Sequence, residues 1–300
     1  MELLQLQYFQ TVARFEHMTR AAEALSIAQP SLSKMIARLE KDLGIPLFDR
    51  QGKQIRLNQY GKAFLSQVDR ALLALDEGKR QVKDMVGLEQ GHISVATISA
   101  QVLTDILAAF SPQYPSIRFR LFQQSTTMVL EQLERGEVDF SFASPPIEHP
   151  DMSWVPLLTE EIFLIVPPKH HLAEHESVHL AEVAHEPYIG LKPGLGLRDL
   201  TDRYCQQIGF TPNLVFESDE PTALGGLVRA GLGIAFTTER FWKSMREGAE
   251  LPVKKVRIKE PRCQRIIGLV WSNKHYLSLA AKQFRQFVLE YFAQHDSATK

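Results

Sequence analysis

Residues 19–44 read Thr-Arg-Ala-Ala-Glu-Ala-Leu-Ser-Ile-Ala-Gln-Pro-Ser-Leu-Ser-Lys-Met-Ile-Ala-Arg-Leu-Glu-Lys-Asp-Leu-Gly: a short amphipathic segment, a break and a longer amphipathic segment. Ala21, Ala22 and Leu25 put a small apolar stripe on one face of the first helix, with Thr19 as its expected N-cap. Ser26-Ile27-Ala28 is the turn, and Ile27 is placed to plug the gap between the helices. Pro30 suits the first turn of the second helix, where its missing N–H costs nothing. Leu32, Met35, Ile36, Leu39 and Leu43 then follow the spacing of a buried helical face, and Gly44 ends the helix. Gln29, Ser31, Ser33, Lys34 and Arg38 fall on or near the opposite side. Two helices packed through small residues, the second opening in polar side chains, form a helix-turn-helix whose second member enters the major groove. A helical hairpin with a merely solvated polar face is the alternative.

The flanking segments favour the first reading. Leu3, Leu6, Phe9, Val12 and Ala13 supply a third covering helix. Pro46 to Leu57 reads as strand, tight turn at Gln51-Gly52 and strand, with Arg50, Lys53 and Arg56 around the turn. A basic hairpin behind a reading helix is a wing that sets cations against phosphates or into the minor groove. The candidate DNA contacts are therefore Thr19, Gln29, Pro30, Ser31, Ser33, Lys34, Arg38, Arg50 and Lys53.

One string now runs through the N-terminal region: Leu6-x-x-Phe9, Ala21-Ala22-x-x-Leu25, Gln29-Pro30-Ser31-Leu32-Ser33, Ile36-x-x-Leu39-Glu40, Leu43-Gly44, Leu47-Phe48-x-Arg50 and Leu57-x-x-x-Gly61. On these residues the chain resembles the LysR-type transcriptional regulators, and the family's pattern recurs downstream to the C-terminus. Two positions depart from it. Lys34 stands where the family usually has Arg, trading a bidentate guanidinium for a point charge, and Asn58 replaces the usual Thr but still caps. The resemblance implies a winged helix-turn-helix at 1–58, a linker and dimerisation helix at 59–87 and an effector-binding domain at 88–300. That last domain would be periplasmic-binding-protein-like, with two doubly wound α/β lobes: lobe I at about 92–160 and 265–300, lobe II at about 161–264. It also implies double-stranded DNA, a small-molecule effector and RNA polymerase as partners, and a homodimer through the linker that often pairs into a homotetramer.

Composition agrees with a local reader rather than a nucleic-acid coat. The 300-residue chain carries a net charge of −1. Residues 1–85 hold 13 Lys and Arg against 10 Asp and Glu, a net of +3, leaving −4 on the remainder. The two cysteines, Cys205 and Cys263, show neither metal spacing nor a disulfide framework. No signal peptide precedes the first helix and no apolar run approaches membrane length, so a cytoplasmic protein is expected.

Residues 59–86 lack Pro, and Phe64, Val68, Ala71, Leu72, Leu75, Val82 and Met85 recur at intervals near 3.5. Such a stripe packs against a second copy, which would join two readers over an inverted repeat, or against its own chain. Gly78 weakens the middle, and Gly87 to Gly91 reads as a hinge. From His92 the pattern alternates: strands at 92–96, 117–122, 139–143, 162–166, 213–216, 234–236 and 266–271, and helices at 102–114, 128–135, 197–208, 222–230 and 279–292. That βαβ alternation predicts a mainly parallel sheet.

Ligands in such sheets lie where strand ends meet helix N-termini. Ser99, Gln101, Ser125, Thr126, Gly194 and Gly196 occupy such junctions and form a donor-rich pocket suited to a small carboxylate, unless the hydroxyls serve only as helix caps. No metal or cofactor is expected. His170, His171, His175, His179 and His185 follow Pro167-Pro168 and read as a surface loop, and Gly194-x-Gly-x-x-Asp199 is one residue short of a dinucleotide fingerprint. A solute-binding protein would share the C-terminal fold but not the reader or the missing signal peptide. An α/β enzyme with a DNA-binding head would need a catalytic constellation, and none has interpretable spacing. A ligand-responsive, non-enzymatic transcription regulator is the reading that remains.

Overall fold

The computed structural model describes residues 1–51, 54–85, 91–97, 100–123, 125–246 and 253–296. The chain divides into two units, Met1–Val86 and Gly87–Lys300.

The first unit holds α1 (Leu3–Phe15), α2 (Met18–Ala24), α3 (Gln29–Leu43), the hairpin β1 (Phe48–Gln51) and β2 (Gln54–Leu57), and α4 (Gln59–Met85). Phe9, Val12, Ala21, Leu32, Ile36, Leu39, Leu47 and Phe48 are buried together with Val68 of α4, and Ile27 packs against them from the turn. Phe9 is the centre, its ring 5.5 Å from Phe48 in the wing and 5.3 Å from Phe64 in α4. Three expectations are corrected. His17, in an extended backbone, caps α2 by accepting from the Arg20 N–H, so Thr19 lies exposed inside the first turn and is not the cap. Leu3 is 43 % exposed and stands clear of the pair, whereas Leu6, Phe9, Val12 and Ala13 pack in the core with it. The hairpin closes on the Gln51–Gln54 pair, one residue later than a turn at Gln51-Gly52 would place it.

Asn58 accepts the Gly61 N–H at 2.9 Å through Oδ1 and donates to the Pro46 carbonyl through Nδ2 at 2.9 Å, fixing the start of α4 beside the wing. A Cβ on Gly61 would run into the Leu47 carbonyl oxygen and the Leu57 side chain, so only glycine admits this approach. Downstream the helix changes character. Val68 is buried, whereas Leu75, Val82 and Met85 are exposed, Met85 by 81 %. The first half of the periodic stripe therefore packs on its own chain, as one of the two readings has it, and the second half leaves its apolar side open.

In the second unit, β3 (His92–Thr97), α5 (Ala100–Phe110), β4 (Arg118–Gln123), α6 (Thr126–Glu134) and β5 (Phe140–Ala143) open lobe I, and β6 (Met152–Val166) leaves it. Lobe II contains β7 (Ser177–Val178), a 3₁₀ turn at Leu180–Val183, β8 (Pro187–Leu191), α7 (Gly196–Gln207), β9 (Asn213–Ser218), α8 (Pro221–Arg229), β10 (Ala235–Thr238), α9 (Glu239–Arg246) and β11 (Lys254–Ile258). β12 (Gln264–Ser272) then returns the chain to lobe I, which α10 (Leu279–Asp296) completes. β3 runs parallel to β4 and β5, and β8 parallel to β9. β12, however, is antiparallel to β5 and β6, and β6 is antiparallel to β10 and β11. The sheet is mixed rather than mainly parallel because one strand must leave lobe I and another return beside it. β6 exchanges its partner β12 for β10 between Glu161 and Ile162.

Alternation along the central strands of lobe I gives that sheet two dry faces. In lobe I, α5 and α10 cover Ile93, Val95, Phe140, Phe142, Ile267 and Leu269, with Phe284 at the centre of an aromatic cluster, while α6 covers Ala96, Ala143 and Val270. Lobe II packs Ile162, Leu164, Tyr188, Ile234 and Val256 with Cys205 and Cys263.

Gly61→Ala is expected to lower the stability of the DNA-reading unit by about 1–3 kcal/mol, since the overpacked Cβ meets backbone that cannot swing away; a melt of the variant checks this, and an unchanged midpoint would refute it. Burial pushes both thiols up, Cys205 to about 12 and Cys263 to about 12 from an ordinary value near 9. Between those values the folded state holds more protons than the unfolded one, so the contribution is constant below pH 9 and lost as pH rises toward 12. The melting temperature should fall above pH 9, less steeply in the Cys205→Ala/Cys263→Ala variant, and a thiol reagent should titrate the native protein only after denaturation.

Candidate nucleic-acid interface and interlobe crevice

Gln29, Pro30, Ser31, Lys34 and Arg38 are exposed along one side of α3, and Ser33 is half-buried. Leu32, Ile36 and Leu39 anchor the opposite side completely, so the polar row is held by a fixed helix. Ala28 precedes α3 without a side-chain cap, Pro30 has no N–H and the Ser31 N–H donates to the Ala28 carbonyl at 3.0 Å, so backbone alone closes this end and the helix turns its positive dipole end to solvent, an arrangement that suits a phosphate. Lys34 makes no ion pair among the described residues; Arg38 stands 3.5 Å from Glu2, both well exposed, a pair weak enough to exchange for phosphate. Glu40 accepts the Leu47 N–H at 2.8 Å and the Phe48 N–H at 3.3 Å, clasping the wing to the far end of the reading helix. Lys53 lies outside the described residues, as does the side chain of Arg50. The Glu40 carboxylate is engaged by the wing amides rather than open to a base edge, and the sequence shows it only as part of a string of motifs.

In the second unit the pocket residues divide. Ser99 and the side chain of Gln101 lie outside the described residues, as do Gly87 to Gln90 of the expected hinge. Ser125 caps α6 by accepting the Met128 N–H at 3.4 Å. Thr126 bridges the lobes: its N–H donates to the Gly194 carbonyl at 3.1 Å, while its buried hydroxyl has no partner among the described residues. Gly194 sits at φ +85°, which favours glycine, and its N–H donates to Asp199 at 2.9 Å. Asp199 thus folds back on its own loop, which explains the fingerprint-like spacing. Gly196 is buried at the first position of α7. The structure therefore brings Ser125, Thr126 and Gly194 to one place, with Gly196 just beyond.

A cavity of about 310 Å³, which none of those four lines, lies among Ser144, Pro145 and Pro146 after β5, Leu200, Arg203, Tyr204 and Gln207 of α7, and Gln264 and Ile266 of β12. The Ser144 hydroxyl is buried and, among the described residues, unpartnered. Arg203 is exposed and makes no ion pair among the described residues. The Tyr204 hydroxyl donates to the Gln264 carbonyl at 2.9 Å and accepts the Gln264 N–H at 3.1 Å, tying α7 to the returning strand. These residues escape sequence reading: 200, 203, 204 and 207 share a helical face by spacing alone, but nothing in the spacing says which face meets the crevice.

A chain of charges lies at the strand crossing. Glu160 on β6 and Arg265 on β12 are register partners, both buried, joined at 2.6 and 3.2 Å. Arg240 of α9 brings its Nε to 3.4 Å from the other Glu160 oxygen and its Nη1 to 2.6 Å from Asp105 of α5, so lobe II touches lobe I through one exposed guanidinium. Glu160, Arg265 and Arg240 lie too far apart in sequence for spacing to connect them.

Residues 3–62 match the family described as bacterial regulatory helix-turn-helix protein, lysR family, and residues 87–293 match the LysR substrate binding domain. The chain is 40 % identical over 298 residues to the uncharacterized HTH-type transcriptional regulator YybE of Bacillus subtilis (strain 168), covering 98 % of this chain and 100 % of that one. It is 32 % identical to the transcriptional dual regulator GltC of the same organism, covering 98 % of each. Among solved structures, the effector-binding domain of QuiR in complex with shikimate superposes with a TM-score of 0.62 at 28 % identity, over 69 % of this chain and 99 % of that one.

Proposed function

Because the chain belongs to the LysR family of bacterial DNA-binding transcription regulators with an effector-binding domain, we propose that it reads an inverted repeat as a dimer joined through α4 and answers to a small carboxylate held between its lobes. The observation that carries the reading half is the exposed polar row of α3 at an uncapped helix start, backed by a fully buried apolar face. Ser33, Lys34 and Gln29 face base edges, Pro30, Ser31 and Arg38 face the backbone near the helix start and flank, Thr19 approaches from α2, and Arg50 and Lys53 of the wing hold phosphates or the minor groove. With so few cations one copy binds weakly, and pairing supplies the affinity. Leu75, Val82 and Met85 are the exposed apolar side available for that pairing, and two dimers assemble into a tetramer.

The carboxylate is supported by Arg203, which makes no ion pair among the described residues, and by the buried Ser144 hydroxyl, both lining the cavity, and by the buried Thr126 hydroxyl in the first turn of α6. A cavity of about 310 Å³ sits at the small end of ligand pockets. QuiR, whose similar effector domain is solved with shikimate, offers a hydroxylated carboxylate as precedent. Occupancy favours one lobe arrangement, and the paired subunits turn that into altered spacing or bending of DNA and a changed contact with RNA polymerase. No cofactor and no turnover enter this scheme; the relatives are transcriptional regulators. Its place is the cytoplasm; no helix among the described residues is long and apolar enough to cross a membrane.

Ser33→Ala/Lys34→Ala should lower specific affinity by roughly a hundredfold, each base contact being worth about 1–3 kcal/mol, while sedimentation still shows the wild-type assembly. An unchanged footprint would sink the assignment. A thermal-shift screen of small hydroxylated and plain carboxylates on the full chain should yield a stabilising ligand whose affinity drops about tenfold or more in Arg203→Leu, one lost charge-assisted bond; equal affinity would place the carboxylate elsewhere.

A further inference from the structure

We infer that His170, His171 and Glu186 form a binding site for a divalent transition-metal ion, zinc above all, on lobe II and apart from the interlobe crevice. The sequence shows five histidines between 170 and 185 in an apparent surface loop. The fold selects two of them and adds a carboxylate from beyond the 3₁₀ turn. His170 Nε2 lies 3.3 Å from Glu186 Oε2 and His171 Nε2 lies 3.5 Å from Glu186 Oε1. One ligand atom from each of the three residues falls within 4.8 Å of the others. A tetrahedral zinc with bonds of about 2.0–2.2 Å separates its ligand atoms by roughly 3.4 Å, so these side chains already stand near the required spacing. Two imidazoles and one carboxylate favour zinc, cobalt or nickel over magnesium or calcium, and leave positions for water.

The support is local and firm. The His170 N–H donates to the Pro167 carbonyl at 3.0 Å, and the Glu186 N–H to the Val183 carbonyl at 3.2 Å. The side chains of His170 and Glu186 are only 16 % and 19 % exposed, whereas His171, at 67 %, leaves the outer side open. In the metal-free form His170 Nδ1 accepts the Leu172 N–H at 3.3 Å, so Nε2 carries the ring proton and donates to Glu186. Loading puts the metal on Nε2 and moves that proton to Nδ1; the Leu172 N–H gives up one long hydrogen bond while three coordinate bonds form. Glu186 directly precedes β8, and the crevice loop at 192–196 leaves the opposite end of that strand, about 16 Å away at strand rise. The site is therefore independent of the effector reading.

The test uses the full-length protein stripped with a chelator. Zinc titrated in competition with a chromogenic indicator should fill one equivalent per chain, and cobalt should give the visible absorption of a low-coordinate nitrogen and oxygen site. His171→Ala, altering an exposed ring, should keep the metal-free melting curve and weaken zinc binding at least tenfold. His170→Ala/His171→Ala/Glu186→Gln should remove the equivalent, and should that variant fail to fold, His171→Ala decides. No saturable equivalent in the wild type, or undiminished binding in His171→Ala, would overturn the assignment.

Discussion

Glu160 and Arg265 face each other on the two strands that cross between the lobes, both almost fully buried. Removing one partner of such a pair costs about 3–5 kcal/mol, because the other is left charged and dry. The crossing is therefore a point the effector-binding unit cannot open cheaply. What can give is weaker and lies on either side of it. The Asp105–Arg240 pair is partly exposed, and the Thr126–Gly194 bond is a single amide contact. A ligand between the lobes competes with links of that size, while the crossing strands keep the lobes in register.

The DNA-reading unit follows the same division between fixed and free. Phe9 joins α1, the wing and α4 in one core, Glu40 clasps the wing to α3, and Gly61 lets α4 lie against the wing backbone. Gln10 of α1 adds a hydrogen bond to Asp69 of α4 at 2.7 Å. The polar row of α3 proposed to read DNA is held more loosely: Gln29, Ser31 and Lys34 are exposed, and Arg38 pairs only weakly with Glu2. The scaffold fixes where the row stands and leaves its exposed side chains free to adapt.

Much of this was legible in the chain. The helix-turn-helix, the wing, the Asn58 cap and most βαβ elements follow from local periodicity and punctuation, which act within a few residues. The misses have physical causes. His17 rather than Thr19 caps α2 because the helix already begins at Met18, which puts Thr19 inside the first turn. The first ten residues of β6 were hidden because Pro156 and several polar residues interrupt the pattern; Pro156 is tolerated opposite Gly268, where the register slips and the Trp154 indole fills the space a Cβ would need. β8, β11 and α9 are short and owe their form to neighbours. In the crevice, the loop donors were visible as helix starts, whereas Arg203, Tyr204 and Ser144 depend on how α7 is rotated, and Glu186 on how a loop folds back. Pairing over dozens of residues leaves no local signature.

The bare start of α3 has a consequence of its own. Ala28 occupies a position where Ser, Thr, Asp or Asn would stabilise a helix by about 1 kcal/mol. Here such a side chain would find little to satisfy: Pro30 has no N–H, and the Ser31 N–H already donates to the Ala28 carbonyl at 3.0 Å. Backbone and proline thus close the helix without a polar side chain in the way. A methyl at this point costs the fold little and keeps the positive end of α3 clear for a negatively charged backbone to approach.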